Sequence, residues 1–127
     1  MFDRPDILGM ASAMAQNASV RLSAIARNVA NADTPGYRAV DAPSFGEIYR
    51  SDGDFLLRTT RPGHLVSAAA SGQTAAPRPG GHMSPNGNNV SLEGEMVAAA
   101  DVRRDHDMAL TIYKTSLGLL RASLGRR

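Results

Sequence analysis

The residues of this sequence that could do acid–base or metal chemistry are few and scattered. The three histidines, His64, His82 and His106, do not follow the spacing of a metal-ligand motif. The chain has no cysteine, which excludes disulfides, thiolate metal sites and a cysteine nucleophile. We therefore expect surface or structural histidines, with no metal, no cofactor and no catalytic centre.

The charged residues do not suggest a nucleic-acid surface. The chain has 14 basic and 12 acidic residues, a net charge of +2, and the two signs are interspersed. A charge-rich patch from Asp101 to Asp107 is typical of a solvated helix face. The alternative is ion pairing between neighbouring copies, which would help to set their register.

The composition of the sequence changes along the chain. Composition predicts three parts: a helix within residues 1–31, a loop-rich insert over 32–90 and a second helix within 91–127. No apolar run is long enough for a transmembrane helix. The first residues lack the basic and apolar regions of a cleaved signal peptide, so none is expected.

The first helix is predicted to begin near Pro5 and to end at Asn31, with Asn31 in a left-handed cap. Thr34-Pro35-Gly36 then stops it, because proline cannot continue the helix. Proline followed by glycine suits the centre of a type II turn. Apolar residues alternate three and four apart along one face of this helix: Ile7, Ala11, Met14, Ala18, Leu22, Ile25 and Val29.

The insert gives weaker signals. Short apolar runs at residues 55–60 and 64–66 favour strands. A compact domain rarely carries so long a loop. Two alternatives stay open: short strands pair within the insert, or much of it becomes ordered against a partner.

The second helix follows a tight turn predicted at Asn86-Gly87, and Ser91 is its predicted N-cap. Its apolar residues form a heptad seam interrupted by Arg103 and His106. The seam comprises Met96, Ala99, Leu110, Tyr113, Leu117, Leu120 and Leu124.

Together these elements predict a mainly α fold, in which the N- and C-terminal helices pack as a helical hairpin or coiled coil. Only 5% of residues are aromatic and there is no tryptophan, so the pair has little apolar area to bury on its own. We expect neighbouring copies to complete the core. The apolar residues predicted for this interface are Ile7, Met14, Leu22, Ile25, Val29, Met96, Leu110, Tyr113, Leu117, Leu120 and Leu124.

Two motifs resemble the flagellar axial proteins. The segment from Asn28 to Tyr37 matches the Asn-φ-Ala-Asn-x-x-Thr-Pro-Gly-Tyr pattern that ends the first helix of rod, hook and hook-associated proteins. The segment from Ser84 to Val90, with Leu92 and Glu95-Met96, is similar to the FlgB-type proximal rod family. The resemblance covers both ends, about half of the chain, and His106 departs from the tyrosine common in these proteins. The resemblance adds Asn28, Asn31, Thr34, Pro35, Gly36 and Tyr37 to the assembly residues.

The resemblance implies a structural subunit of the proximal rod, the drive shaft between the MS ring and the distal rod and hook. It implies export through the flagellar type III apparatus without a cleaved signal, and a final place in the basal body within the periplasmic space. The implied partners are other copies of the chain, rod proteins of the FlgC, FlgF and FlgG types, a FliE-type adaptor and the MS ring. No nucleic acid or small-molecule substrate is implied.

Three alternatives compete with this interpretation. The nearest is a proximal rod protein of the FlgC type, which shares the architecture. Another is a helical export adaptor that does not polymerise. The third is a peptidoglycan hydrolase, which would need a carboxylate pair in a formed pocket, and its candidates are Glu47, Asp52 and Asp54.

Overall fold

The computed structural model describes residues 7–51, 75–81 and 83–125. Within them the chain forms α1 (Ile7–Ala30), β1 (Val40–Asp41), α2 (Phe45–Ser51), β2 (Ala76–Pro77) and α3 (Leu92–Leu124). The predicted mainly α fold is confirmed. The strands predicted at residues 55–60 and 64–66 lie outside the described residues.

The two long helices run antiparallel against each other, as predicted. Arg21 of α1 lies 3.7 Å from Asp105 of α3, and Asn28, later in α1, donates a hydrogen bond to Glu95, earlier in α3. The order of these contacts shows that the two helices run in opposite directions. Between these two contacts, Ile25 and Val102 pack in one apolar cluster. A helical hairpin is the simplest arrangement in which both helices cover part of an apolar face.

Small side chains dominate the core. Most of its buried apolar residues are alanines, which allow close approach of the two helices but bury little area each. Ile25 and Val102 are the only apolar side chains larger than alanine that are buried in the described part of the chain. The buried apolar set is Ala11, Ala18, Ala24, Ile25, Ala39, Ala42, Val102 and Ala109.

The face that α3 turns towards α1 is centred one residue away from the predicted seam. Glu95, Val102 and Ala109 are buried at heptad spacing, whereas Met96 and Leu110 are exposed. Successive residues of a helix lie about 100° apart, so a seam that contains Met96 instead of Glu95 lies on the flank of α3. On α1 the predicted stripe does face α3, through Ala11, Ala18 and Ile25.

Two short elements of the insert lie beside the helices. β1 and β2 pair antiparallel, with Val40 opposite Pro77, and the Arg78 N–H extends the ladder by donating to the Ala39 carbonyl at 2.7 Å. α2 begins with a capping box in which Glu47 Oε2 accepts from the Ser44 N–H at 2.7 Å. The strand pair confirms the alternative in which short strands pair within the insert, although the sequence did not place them at these residues, and α2 was not predicted.

None of the helices in the described residues is both long and apolar enough to cross a membrane.

Candidate functional site

The first motif ends α1 with the predicted turn. Gly36 has φ 72°, and the Tyr37 N–H donates to the Thr34 carbonyl at 3.3 Å, which confirms a turn with glycine at its left-handed position. The left-handed cap predicted at Asn31 is wrong, because no described residue other than glycine has positive φ. The Asn31 N–H instead donates to the Asn28 carbonyl at 3.1 Å, so the chain continues in a right-handed turn.

The second motif caps the end of α1 from a distance in sequence. Asn88 is buried, and its Nδ2 donates to the carbonyls of Asn31, Ala32 and Thr34 at 2.9, 2.7 and 3.0 Å. Its Oδ1 accepts from the Val90 N–H at 2.8 Å. One side chain therefore binds three carbonyls just past the end of α1, of which those of Asn31 and Thr34 also accept from the backbone N–H groups of Thr34 and Tyr37.

Two glycine turns pack directly on each other. In the second motif the Gly87 N–H donates to the Ser84 carbonyl and the Ser84 N–H to the Asn88 carbonyl, both at 2.8 Å. Gly87 has φ 78°, which completes a type I turn with a glycine bulge. The Gly36 N–H donates to the Asn86 carbonyl at 3.0 Å, and a Cβ on Gly87 would lie 3.5 Å from Gly36 Cα.

Asn28 is the centre of the site and is completely buried. Its Nδ2 donates to the Val40 carbonyl at 2.8 Å and to Glu95 Oε2 at 3.1 Å. Its Oδ1 accepts from the Val40 N–H at 2.9 Å and from the Tyr37 hydroxyl at 3.3 Å. Every donor and acceptor of the amide is used, which joins the end of α1 to β1 and to α3.

Glu95 brings a carboxylate into this interior with only 1% of its surface exposed. It accepts from Asn28 on one oxygen and from Arg78 Nη1, at 3.1 Å, on the other. Arg78 also lies 3.5 Å from Asp41. A buried charge requires such partners, so Arg78 ties the chain leaving β2 to the start of α3. We call Asn28, Tyr37, Arg78, Asn88 and Glu95 the polar junction.

The polar junction holds backbone and side chains together and offers no reactive group. Its members are amides, a phenol and an ion pair that are bonded to one another. In the described residues no group of His, Asp and Glu side chains could hold a metal ion. His106 is half-buried beside Asp107, at 3.8 Å, while His64 and His82 lie outside the described residues.

The open cleft next to α2, about 460 Å³ in volume, is poorly suited to hydrolysis. Its carboxylates are already engaged: Asp41 pairs with Arg78, and Glu47 caps α2. The Ser44 backbone N–H, followed by the Ser44 hydroxyl, lowers the pKa of Glu47 below its ordinary value. Glu47 is therefore ionised at neutral pH and is no general acid. Asp52 and Asp54 lie outside the described residues.

The structure divides the predicted assembly residues into two groups. The six residues of the first motif lie at or next to the polar junction. The apolar residues lie along the helices, where Ile25 is buried and Met14, Leu22 and Leu117 are half-buried. The other apolar residues of the set are exposed: Ile7, Val29, Met96, Leu110, Tyr113, Leu120 and Leu124. Their role in assembly stays a prediction.

Sequence reasoning missed Arg78, Asn88 and Glu95 as site residues. Asn88 and Glu95 belong to the second motif, but the sequence gives neither of them a specific contact. The available signal was the run of asparagines before Ser91, since asparagine can cap backbone groups.

The predicted N-cap of α3 is confirmed: Ser91 Oγ accepts from the Gly94 N–H at 3.3 Å.

Comparison with known proteins adds a consistent set of relatives. The sequence profile of the family described as "Flagella basal body rod protein" matches residues 10–38. The chain is 30% identical over 111 residues to the flagellar basal body rod protein FlgB of Agrobacterium fabrum, covering 84% of this chain and 83% of that protein. It is 34% identical over 102 residues to FlgB of Cereibacter sphaeroides, with 79% and 73% covered. The corresponding values for FlgB of Salmonella typhimurium are 30% over 106 residues, with 76% and 77% covered.

Proposed function

The chain belongs to the FlgB family of flagellar basal-body rod proteins, and we propose that it builds the proximal rod by packing its terminal helices against neighbouring subunits. Family membership makes it a structural subunit of the rod that associates with other rod components in the basal body. The relatives share the FlgB name, which favours this assignment over the FlgC-type and export-adaptor alternatives.

One observation carries the packing proposal: α3 leaves many of its large apolar side chains uncovered. Apolar patches that the chain does not bury itself are typical of protein–protein interfaces. Burial of a fully exposed side chain of this size contributes roughly 1.5–3 kcal/mol, and a neighbour would supply the part of it that the chain itself leaves uncovered. The exposed set on α3 is Leu92, Met96, Val97, Met108, Leu110, Ile112, Tyr113, Leu119, Leu120 and Leu124.

The finer details of the proposal follow from the family. The rod would link the MS ring to the distal rod and hook, with a FliE-type adaptor and rod proteins of the FlgC, FlgF and FlgG types as neighbours. The chain would reach the periplasmic space through the flagellar type III export apparatus, without a cleaved signal. It would act by assembly and carry no catalytic activity.

Deletion of the gene in its host, followed by electron microscopy of purified basal bodies, tests the proposal. We expect MS rings without rods, and intact rods after complementation with the wild-type gene. Intact rods and hooks in the deletion strain would contradict it. A muramidase assay on the purified chain should give no activity above buffer, and clear activity would revive the hydrolase alternative.

A further inference from the structure

α3 carries two separate exposed apolar stripes. Leu92, Met96 and Leu110 lie on one flank, 37% to 64% exposed, and form what we call the first flank. The exposed apolar residues on the other side of α3 form what we call the second flank, and they are 39% to 68% exposed. The second flank comprises Val97, Met108, Ile112 and Leu119. At about 100° per residue, each set spans no more than roughly 60° of the helix surface.

The first helix of the same chain lies between the two flanks. Val102 and Ala109, which face α1, are buried and lie roughly midway between the stripes on the helix surface. The pairing of α1 with α3 therefore leaves both stripes free. A helix with two apolar stripes on opposite sides of its partner can contact two further molecules at the same time.

The charges near the two flanks differ in sign. Arg103, Lys114 and Arg121 fall on the first flank by helical position, with Asp107 as the acid nearest to them. The second flank has Asp101 within it, with Asp105 at one edge and Arg104 at the other.

The acids of the second flank already have partners within the chain. Asp101 lies 3.6 Å from Arg104, and Asp105 lies 3.7 Å from Arg21. Asp101 nevertheless has 60% of its side chain exposed, so it is accessible to a second cation.

We propose that the first flank of one copy packs against the second flank of the next copy. Each flank is thus covered by a second copy of this chain. The inference rests on the assembly role proposed above. Contact between two first flanks would bring cations together, whereas contact between unlike flanks brings opposite charges together. Contact between unlike patches does not close after two subunits, so it continues from copy to copy as a ring or as an open helical series.

The same charges set the register between parallel copies. Lys114 of one helix lies beside Asp101 of its neighbour when the two are displaced by about 20 Å along the axis, at 1.5 Å per residue. A similar displacement places Leu110 beside Val97, so apolar and charged contacts agree on one register.

Cysteine cross-linking in purified basal bodies tests this contact, because the natural chain has no cysteine. Leu110→Cys marks the first flank and Val97→Cys marks the second. The variants are expressed singly and together in the deletion strain, and basal bodies are treated with a short bismaleimide. We expect cross-linked dimers when the two variants are present together, and only monomers with either one alone.

Two results would overturn the inference without touching the assembly role. These are dimers from either single variant, or no dimers although both variants are present in the basal bodies. Absence of the wild-type chain from basal bodies would overturn the assembly role itself, and this inference with it.

Charge exchange supplies a second test that needs no cross-linker. Lys114→Glu should reduce the motile fraction of cells at least tenfold, and adding Asp101→Lys should restore it. Arg38→Glu, a charge reversal at an exposed residue outside α3, should leave motility unchanged. Failure of Asp101→Lys to restore motility, or equal loss from Arg38→Glu, would count against the contact.

Discussion

The two ends of the helix pair differ in how far the chain itself provides contacts for their side chains. At the polar junction the buried groups are polar, and the chain supplies their partners: Asn28 uses all its donors and acceptors, and Glu95 is paired. Towards the end of α3 the situation is reversed, since Leu119, Leu120 and Leu124 are apolar and exposed. The chain therefore supplies the partners of its buried polar groups itself, and it leaves apolar side chains of α3, including those at its far end, to neighbours.

This difference separates two roles of packing in the molecule. A buried hydrogen-bond network is directional, and it contributes modestly to net stability while penalising any other arrangement of its groups. Apolar burial is non-directional and supplies most of the favourable free energy. We infer that the polar junction sets the geometry of the hairpin and that assembly supplies much of its stability.

The largest effect on the isolated chain is expected from Asn28→Ala. The substitution leaves the Val40 backbone groups and one side of the Glu95 carboxylate without partners, and it lowers the free energy of unfolding by about 3 kcal/mol. Urea denaturation followed by circular dichroism measures the change. The exposed Gln16→Ala on the same helix should change it by less than about 0.5 kcal/mol. Equal effects would mean that the network does not hold this end together.

A smaller loss is expected from Gly36→Ala. Gly36 has φ 72°, and a Cβ there would meet no atom within 4 Å, so the cost is purely conformational. We expect a loss of about 1 kcal/mol in the same denaturation experiment. Gly36→Asn should lose less, because asparagine tolerates the left-handed region. A greater loss with asparagine would show that something other than backbone conformation matters at the turn.

Leu110→Asp should hardly change the isolated chain. The side chain is exposed on α3, so the free energy of unfolding should shift by no more than about 0.5 kcal/mol. The same substitution should abolish rods and motility, because an unpaired charge in an apolar contact is unfavourable. Leu110→Met serves as the matched control and should retain motility. Normal rods with Leu110→Asp would contradict the assignment of this face to assembly.

The smallest effect concerns α2 and is visible only in acid. The folded chain lowers the pKa of Glu47, chiefly through the Ser44 backbone N–H. The capping contribution is therefore complete above the ordinary glutamate pKa, near 4.3, and is lost as the pH falls through the lower folded value. Glu47→Gln should flatten the acid limb of stability against pH. An unchanged acid limb would mean that the cap contributes nothing measurable.

Periodicity and turn residues sufficed to predict the two long helices, their pairing, the turn at Gly36 and the cap at Ser91. These features depend on neighbours in sequence. The polar junction could not be predicted in the same way, since Asn28 and Glu95 meet across 67 residues and amide pairing leaves no periodic trace. Strands of two residues are likewise too short to show alternation. The predicted contact face of α3 lies one residue away from the observed one, because alanine marks a buried position less clearly than leucine.

Hydrogen–deuterium exchange on the free chain and on purified basal bodies tests the division between the two ends most directly. We expect backbone amides around Asn28 and Glu95 to exchange slowly in both samples. Amides of residues 110–124 should exchange rapidly in the free chain and slowly in the assembled rod. Equal protection of residues 110–124 in the two samples would contradict the account, because that end of α3 would then need no neighbour.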